Sequence, residues 1–240
     1  MLIDFLPDDL GQEDRTAVLV VSCSRFKQVW GPFFTLFERF WPDCPYEVHF
    51  AVDTGSHPRA IAHVTGTDIG WGSICLNALR TIPASRVIMF QEDFLIKSKV
   101  DTNKVRRFVR HAHDQDIGCL RLGPCPGPTA PWHGTESLGT IEKHDPHKVS
   151  LQLAVWKKSV LETLIKDGDS PWQVEGQGPQ RVLAVKEPFV SVWRESENVP
   201  GGPVPYIITA VVHDVWQQDA FDLMAREGIP MDGITRVIPR

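Results

Sequence analysis

The run Arg86-Val-Ile-Met-Phe-Gln-Glu-Asp-Phe-Leu95 delivers two adjacent carboxylates, Glu92 and Asp93, to the point where a short apolar segment stops. Val87 to Phe90 can be buried on both faces, as an interior strand of a parallel sheet demands. Two carboxylates cannot be buried with them unpaired, because desolvating each ion costs several kcal/mol. The pair is therefore expected at the carboxyl edge of a sheet, holding a divalent cation or a cationic partner. The competing assignment places both carboxylates at the surface in ion pairs with Arg86, Lys97 or Lys99.

The elements that must position this pair alternate between strand-like and helix-like patterns from residue 17 to about 185, the signature of crossover units in a mainly parallel sheet. Thr16 to Cys23 is the first strand. Trp30, Phe33, Phe34, Phe37, Phe40 and Trp41 then fall at helical spacing, and Pro42-Asp43 ends the helix. Tyr46, Val48, Phe50 and Val52 alternate with Glu47, His49 and Ala51 as a half-buried strand does, ending at Asp53-Thr54-Gly55. A helix through Trp71, Ile74, Cys75, Ala78 and Leu79 precedes Pro83 and the Arg86 to Phe90 strand. Asn103 to His113 reads as a helix and Ile117 to Leu122 as a strand.

Beyond that, Pro124, Pro126, Pro128 and Pro131 with Gly123 and Gly127 predict a long loop over 123–148, a lid or an insertion, carrying His133, His144 and His147. Val149 to Trp156 resumes as a strand and Ser159 to Lys166 as a helix, after which Ser170 to Gly176 makes a turn and Pro179 opens a short helix. Phe189 to Trp193 and Tyr206 to Val212 are strand candidates separated by the Gly201-Gly202-Pro203 turn, and a last helix runs from Trp216 to about Glu227.

The chain has 240 residues, 42% of them hydrophobic and 23% charged, which fits one globular domain over 16–240 behind an acidic tail over 1–15. A formal charge of -5 with scattered lysines and arginines gives no basic stripe, so a nucleic-acid partner is not expected. The five cysteines are odd in number and lack paired metal spacing, so they read as buried free thiols. No segment approaches the roughly 20 apolar residues of a membrane span, and the expected location is cytoplasmic.

Several short motifs occur in a telling order: Ser22-Cys23 at a strand end, the Glu92-Asp93 pair, Ser150-Leu151-Gln152 with Trp156, and Pro171-Trp172-Gln173-Val174-Glu175. In that order, over roughly residues 17–220, the chain resembles the nucleotide-sugar-dependent glycosyltransferases of the GT-A fold, a bacterial branch of them. The resemblance implies an α/β fold: a single GT-A-like (Rossmann-like) domain with a mostly parallel or mixed central sheet flanked by helices. It implies transfer of a sugar from a UDP- or GDP-type donor to a glycan or other hydroxyl acceptor, as in polysaccharide or glycoconjugate synthesis. A manganese or magnesium ion would neutralise the leaving diphosphate as a Lewis acid.

Carried onto this sequence, the family's acidic motif has Gln91 in place of its first Asp, leaving Asp93 as metal ligand and Glu92 toward sugar or ribose. Glu175 is the candidate base for an inverting transfer, with Trp172 excluding water. The alternative has Glu175 capping the helix after Pro179 and Trp172 in the core. Ser22, Cys23 and Arg25 after the first strand, Asp53 after the second, and Asp68 and Trp71 at the helix before the acidic strand fall where this fold contacts the donor, although each is also an ordinary loop or core residue. His213 is a candidate last metal ligand, its alternative being a strand-end histidine bonded to Asp214. Two other functions remain open: a sugar nucleotidyltransferase, against which the first strand lacks a Gly-rich basic loop, and a GT-A-fold binding protein without catalysis.

Overall fold

The computed structural model describes residues 15–133, 135–194, 202–231 and 233–238. The expected acidic tail lies almost wholly outside the described residues, as does Gly201 of the expected turn. Nine strands form one sheet: β1 (Thr16–Val21), β2 (Val48–Val52), β3 (Ile61–Val64), β4 (Arg86–Gln91), β5 (Cys119–Arg121), β6 (Ala130–Pro131), β7 (Leu138–Thr140), β8 (Ala154–Lys157) and β9 (Phe189–Val192). Their spatial order is β3-β2-β1-β4-β8-β5-β9-β7-β6. The pairs β1·β2, β2·β3, β1·β4 and β5·β9 are parallel, while β8 runs antiparallel to both β4 and β5. The sheet is mixed.

Period-two alternation divides β4 between two cores. Ile88 and Phe90 enter the layer built with α1 (Lys27–Phe40), α3 (Thr102–Asp114) and α6 (Gln218–Arg226). Val87 and Met89 enter the opposite layer with α2 (Trp71–Thr81), α4 (Lys158–Leu164) and α5 (Pro171–Arg181). Because the chain returns from β3 on one side of β1 to β4 on the other, the strand order reverses at the β1/β4 boundary, the usual place for a ligand crevice in such sheets. Among the described residues no helix is long and apolar enough to cross a membrane.

Five expectations are corrected. β2 is buried on both faces rather than one, because β3 covers its edge and the ring of His49 bonds to His63 at 2.9 Å. Residues 123–148 are not wholly irregular: β6 and β7 pair with each other, β7 adds to β9, and β6 forms the sheet edge, where a proline's missing N–H is tolerated. Ser170 to Gly176 is helix, not turn; Ser170 and Gln173 form a capping box over Pro171, and Pro179 lies inside α5 instead of opening a new helix. Tyr206 to Val212 is not a strand. It makes one bridge, Ile96 to Tyr206, and then β10 (Val211–Val212) turns back into β11 (Val215–Trp216). Of the five thiols, all free, only Cys75 and Cys119 are fully buried.

Candidate active site

The carboxyl ends of β1, β2, β4 and β5 and the amino end of antiparallel β8 share one edge of the sheet. Glu92 and Asp93 leave β4 at that edge. Glu92 is buried and Asp93 half-buried. Burial, followed by the charge of Asp93, raises the Glu92 carboxyl well above the usual range. Burial also lifts Asp93 to about 6, against the opposing effect of backbone N–H groups at Val211 and Ala210. The surface alternative fails at Arg86: that residue sits at the far end of β4, donating to the Ile117 carbonyl and pairing with Asp116. Among the described residues no cation is among the influences on either carboxyl.

A strap crosses this edge. The backbone N–H of Lys97 donates to Pro205, that of Ile207 to Leu95 and that of Ala210 to Asp93, so residues 205–210 run back along the segment that follows the acidic pair. Val211 then donates its N–H to Asp93 Oδ2 at 3.3 Å. His213 and Asp214, with φ of 48° and 66°, occupy the two central positions of the β10–β11 turn, the geometry of a type I′ hairpin. Asp214 reaches Arg25, which ties the hairpin to the loop after β1.

Several predicted donor contacts are committed elsewhere. Ser22 is 2% exposed, and its hydroxyl accepts the indole N–H of Trp30 at 2.7 Å, so it serves the β1–α1 packing. Asp53 accepts the N–H and the hydroxyl of Ser24 at 2.6 and 2.7 Å and the N–H of Thr54 at 2.7 Å, closing the loops after β1 and β2 on each other. Arg25 pairs with Asp214. Gly70 and Gly72 do permit close approach, but to protein: a Cβ on Gly72 would lie 2.2 Å from the Lys166 carbonyl oxygen. Asp68 is exposed ahead of α2 with a φ of 65°. Cys23 does face the pair, its thiol pushed up to about 11 by burial and by the charge of Glu92, and so stays protonated. Trp71 is half-buried and donates its indole N–H to Gln91 Oε1 at 3.2 Å.

Glu175 lies one turn into α5, where Oε1 accepts the N–H of Leu151 at 2.6 Å and anchors the chain entering β8. The neighbouring Gln152 receives the phenol hydrogen of Tyr206 at 3.0 Å. Trp172 is 75% exposed, so it neither shields Glu175 from water nor belongs to the core, correcting both expectations for it. Residues missed from the sequence include Tyr206 and Arg121, and Asp214 was expected only as a partner of His213. Arg121 is completely buried at the end of β5 and donates to the carbonyls of Pro126, His147 and Lys148 at 2.9, 2.5 and 2.8 Å, pinning both ends of the 123–148 segment.

Two carboxylates suit magnesium or manganese when substrate phosphates supply the remaining ligands, since such ions keep few protein ligands and add phosphate oxygens. Glu92 and Asp93 fit that role. Among the described residues no group of three or more His, Cys, Asp or Glu is gathered for a metal, and exposed His213 at the hairpin tip does not complete one. A cavity of about 500 Å³ lies at the opposite edge of the sheet, beside Arg86, Lys157 and Lys158. Those cations are engaged by Asp116 and the Ile82 carbonyl, so it offers no comparable demand for a ligand.

No family model and no curated protein matches the sequence. Among solved structures, TarS from S. aureus, residues 1–349, superposes with a TM-score of 0.51 at 10% identity, covering 76% of this chain and 59% of that one. Its complex with UDP gives a TM-score of 0.50 at 10% identity, with the same coverage. This is the GT-A fold. A longer TarS structure superposes at 0.53 with 10% identity, covering 91% of this chain and 40% of its own. The chain thus spans little over half of the shorter TarS structure, and the likeness is one of GT-A architecture.

Proposed function

We propose that this protein is a glycosyltransferase that takes a sugar from a nucleotide donor, of UDP or GDP type, to a hydroxyl acceptor. The observation that carries the proposal is the Glu92–Asp93 pair at the β1/β4 reversal, two carboxyls raised by burial with no cation among the described residues to offset them. A site of this kind is completed by a divalent cation together with the diphosphate that brings it. When bound, such an ion supplies Lewis-acid neutralisation of the leaving phosphates. The UDP complex of the similarly folded TarS is consistent with that donor class.

The chain's own residues perform the rest. Asp93, its carboxylate steadied by the Val211 N–H, would hold the cation, and Glu92 would contribute the adjacent oxygen or meet the donor's sugar. Cys23 and the Asp53-closed loop form the wall next to Glu92. Glu175 accepts the acceptor's proton through its carboxylate while Leu151 holds Oε1, which gives direct displacement with inversion. The test is a binding titration of the full chain with UDP and GDP, with and without manganese, followed by hydrolysis assays on the corresponding nucleotide sugars. Binding that needs manganese and is lost in Asp93→Ala is the expected result. No nucleotide binding under any of these conditions would overturn the proposal.

A further inference from the structure

Gln91 is the last residue of β4 and falls in register with Val87 and Met89, on the side of the sheet covered by α2. Its amide orientation is fixed by chemistry. An indole can only donate, so the atom facing Trp71 Nε1 at 3.2 Å must be the amide oxygen. The amide nitrogen is thereby turned the other way, where it is buried and has no hydrogen-bond partner among the described residues. An unmatched buried donor is costly, because its lost hydration is not replaced. In sequence Gln91 immediately precedes Glu92 and Asp93, at the carboxyl end of β4.

We infer that Gln91 Nε2 is a phosphate-binding donor, waiting for an acceptor-only oxygen of the nucleoside diphosphate. This rests on the donor-binding reading above and adds to it the residue that grips the phosphate directly. A carboxylate here would repel a phosphate and could serve it only through a cation. A neutral amide adds no charge beside two existing carboxylates and offers two N–H groups. A sugar hydroxyl is the poorer match, because it can both donate and accept and would be served as well by Glu as by Gln.

The substitution Gln91→Glu separates the two jobs of this side chain. Its carboxylate still accepts from Trp71, so the local fold keeps its hydrogen bond, but nothing remains to donate to phosphate. Gln91→Met removes both functions without adding charge and controls for repulsion. Calorimetric titration of wild type and both variants with UDP and with uridine, in excess manganese, is the experiment, with GDP and guanosine as the parallel pair. Both variants are expected to bind the diphosphate about tenfold or more weakly, the scale of one hydrogen bond to a charged oxygen, and the nucleoside unchanged. Unchanged diphosphate affinity, or equal losses for diphosphate and nucleoside, overturns the inference. Wild type that binds neither diphosphate instead overturns the donor-binding reading itself. A folded Gln91→Glu with the wild-type near-ultraviolet spectrum keeps the result interpretable if Gln91→Met unfolds.

Discussion

Replacing Asp93 by Asn is expected to stabilise the metal-free protein at neutral pH and to abolish its response to manganese. Burial lifts the carboxyl from its ordinary 3.8 to about 6. A group whose folded pKa lies above its unfolded one contributes most stability below the unfolded value and loses it as pH rises through the folded value. For Asp93 the loss runs from 3.8 to about 6 and is complete above. At about 1.4 kcal/mol for each pH unit, that interval comes to about 3 kcal/mol near neutral pH. Asparagine never ionises and avoids this cost, though it weakens the bond from Val211. At roughly 2–4 °C per kcal/mol for a chain of this size, the variant should melt several degrees higher. Scanning calorimetry with chelator, at about pH 7.5 and again at about pH 4.5, should show the advantage shrinking toward acid as the wild-type carboxyl takes up its proton. Manganese should raise the wild-type midpoint and leave the variant unmoved. A variant that melts at or below wild type at both pH values, or gains equally from manganese, would refute the assignment of Asp93 as an uncompensated site carboxylate.

Glu175→Gln should keep its hold on the Leu151 N–H and melt normally while turnover falls by about a hundredfold or more, the usual share of a general base; steady-state rates on the donor and acceptor identified by assay decide it, and full turnover removes Glu175 from the chemistry. His49 and His63 are both held below their ordinary 6.5, chiefly by burial, so their contribution is present above that pH and is lost as pH falls below it. His63→Gln should therefore flatten the decline in unfolding free energy between neutral pH and about 5, measured by urea titration. Arg121→Met strands three carbonyls and should cost about 3 kcal/mol, with new protease cleavage between residues 123 and 148 as the readout; cleavage elsewhere first would deny Arg121 its clamping role.

The central strands were legible because burial on both faces writes continuous apolar runs, as in Val87 to Phe90, whose carboxyl end then marks where charge must emerge. β3 was missed because Ile61 and Val64 are exposed at the edge and His63 interrupts the apolar pattern. α5 was hidden by Gly176, Gly178 and Pro179, all poor in a helix interior. Its true signal was the Ser170-x-x-Gln173 spacing with proline at the first helical position. Tyr206 to Val212 misled in the other direction: an apolar stretch whose buried residues Tyr206, Ile207 and Ala210 fill the core beneath the strap without pairing along a sheet. The His213-Asp214 turn had no glycine or asparagine to announce its positive φ values.

Residues at one sheet edge can be sorted by whether the protein's own groups already meet their needs. Asp53 has its three N–H and O–H partners, Ser22 has Trp30, and Arg25 has Asp214. These groups build the rim, and removing them should loosen loops before it weakens a ligand. Gln91, Glu92 and Asp93 are different. Among the described residues, one has a buried donor with no acceptor, and the other two are raised by burial with no cation to offset them. Folding tolerates such unmet demands at a few positions when the surrounding strands are secure, and β1 and β4, buried at all but one residue each, provide that security. The three demands are consecutive in sequence and complementary in kind: carboxylates that call for a cation, and an N–H that calls for an anion. On the proposed reading a metal-bound diphosphate would satisfy both at once, whereas a bare metal would leave the amide unmet and a bare phosphate would be repelled by the carboxylates. Nucleotide and cation should therefore bind with positive coupling, each tightening the other by the same factor.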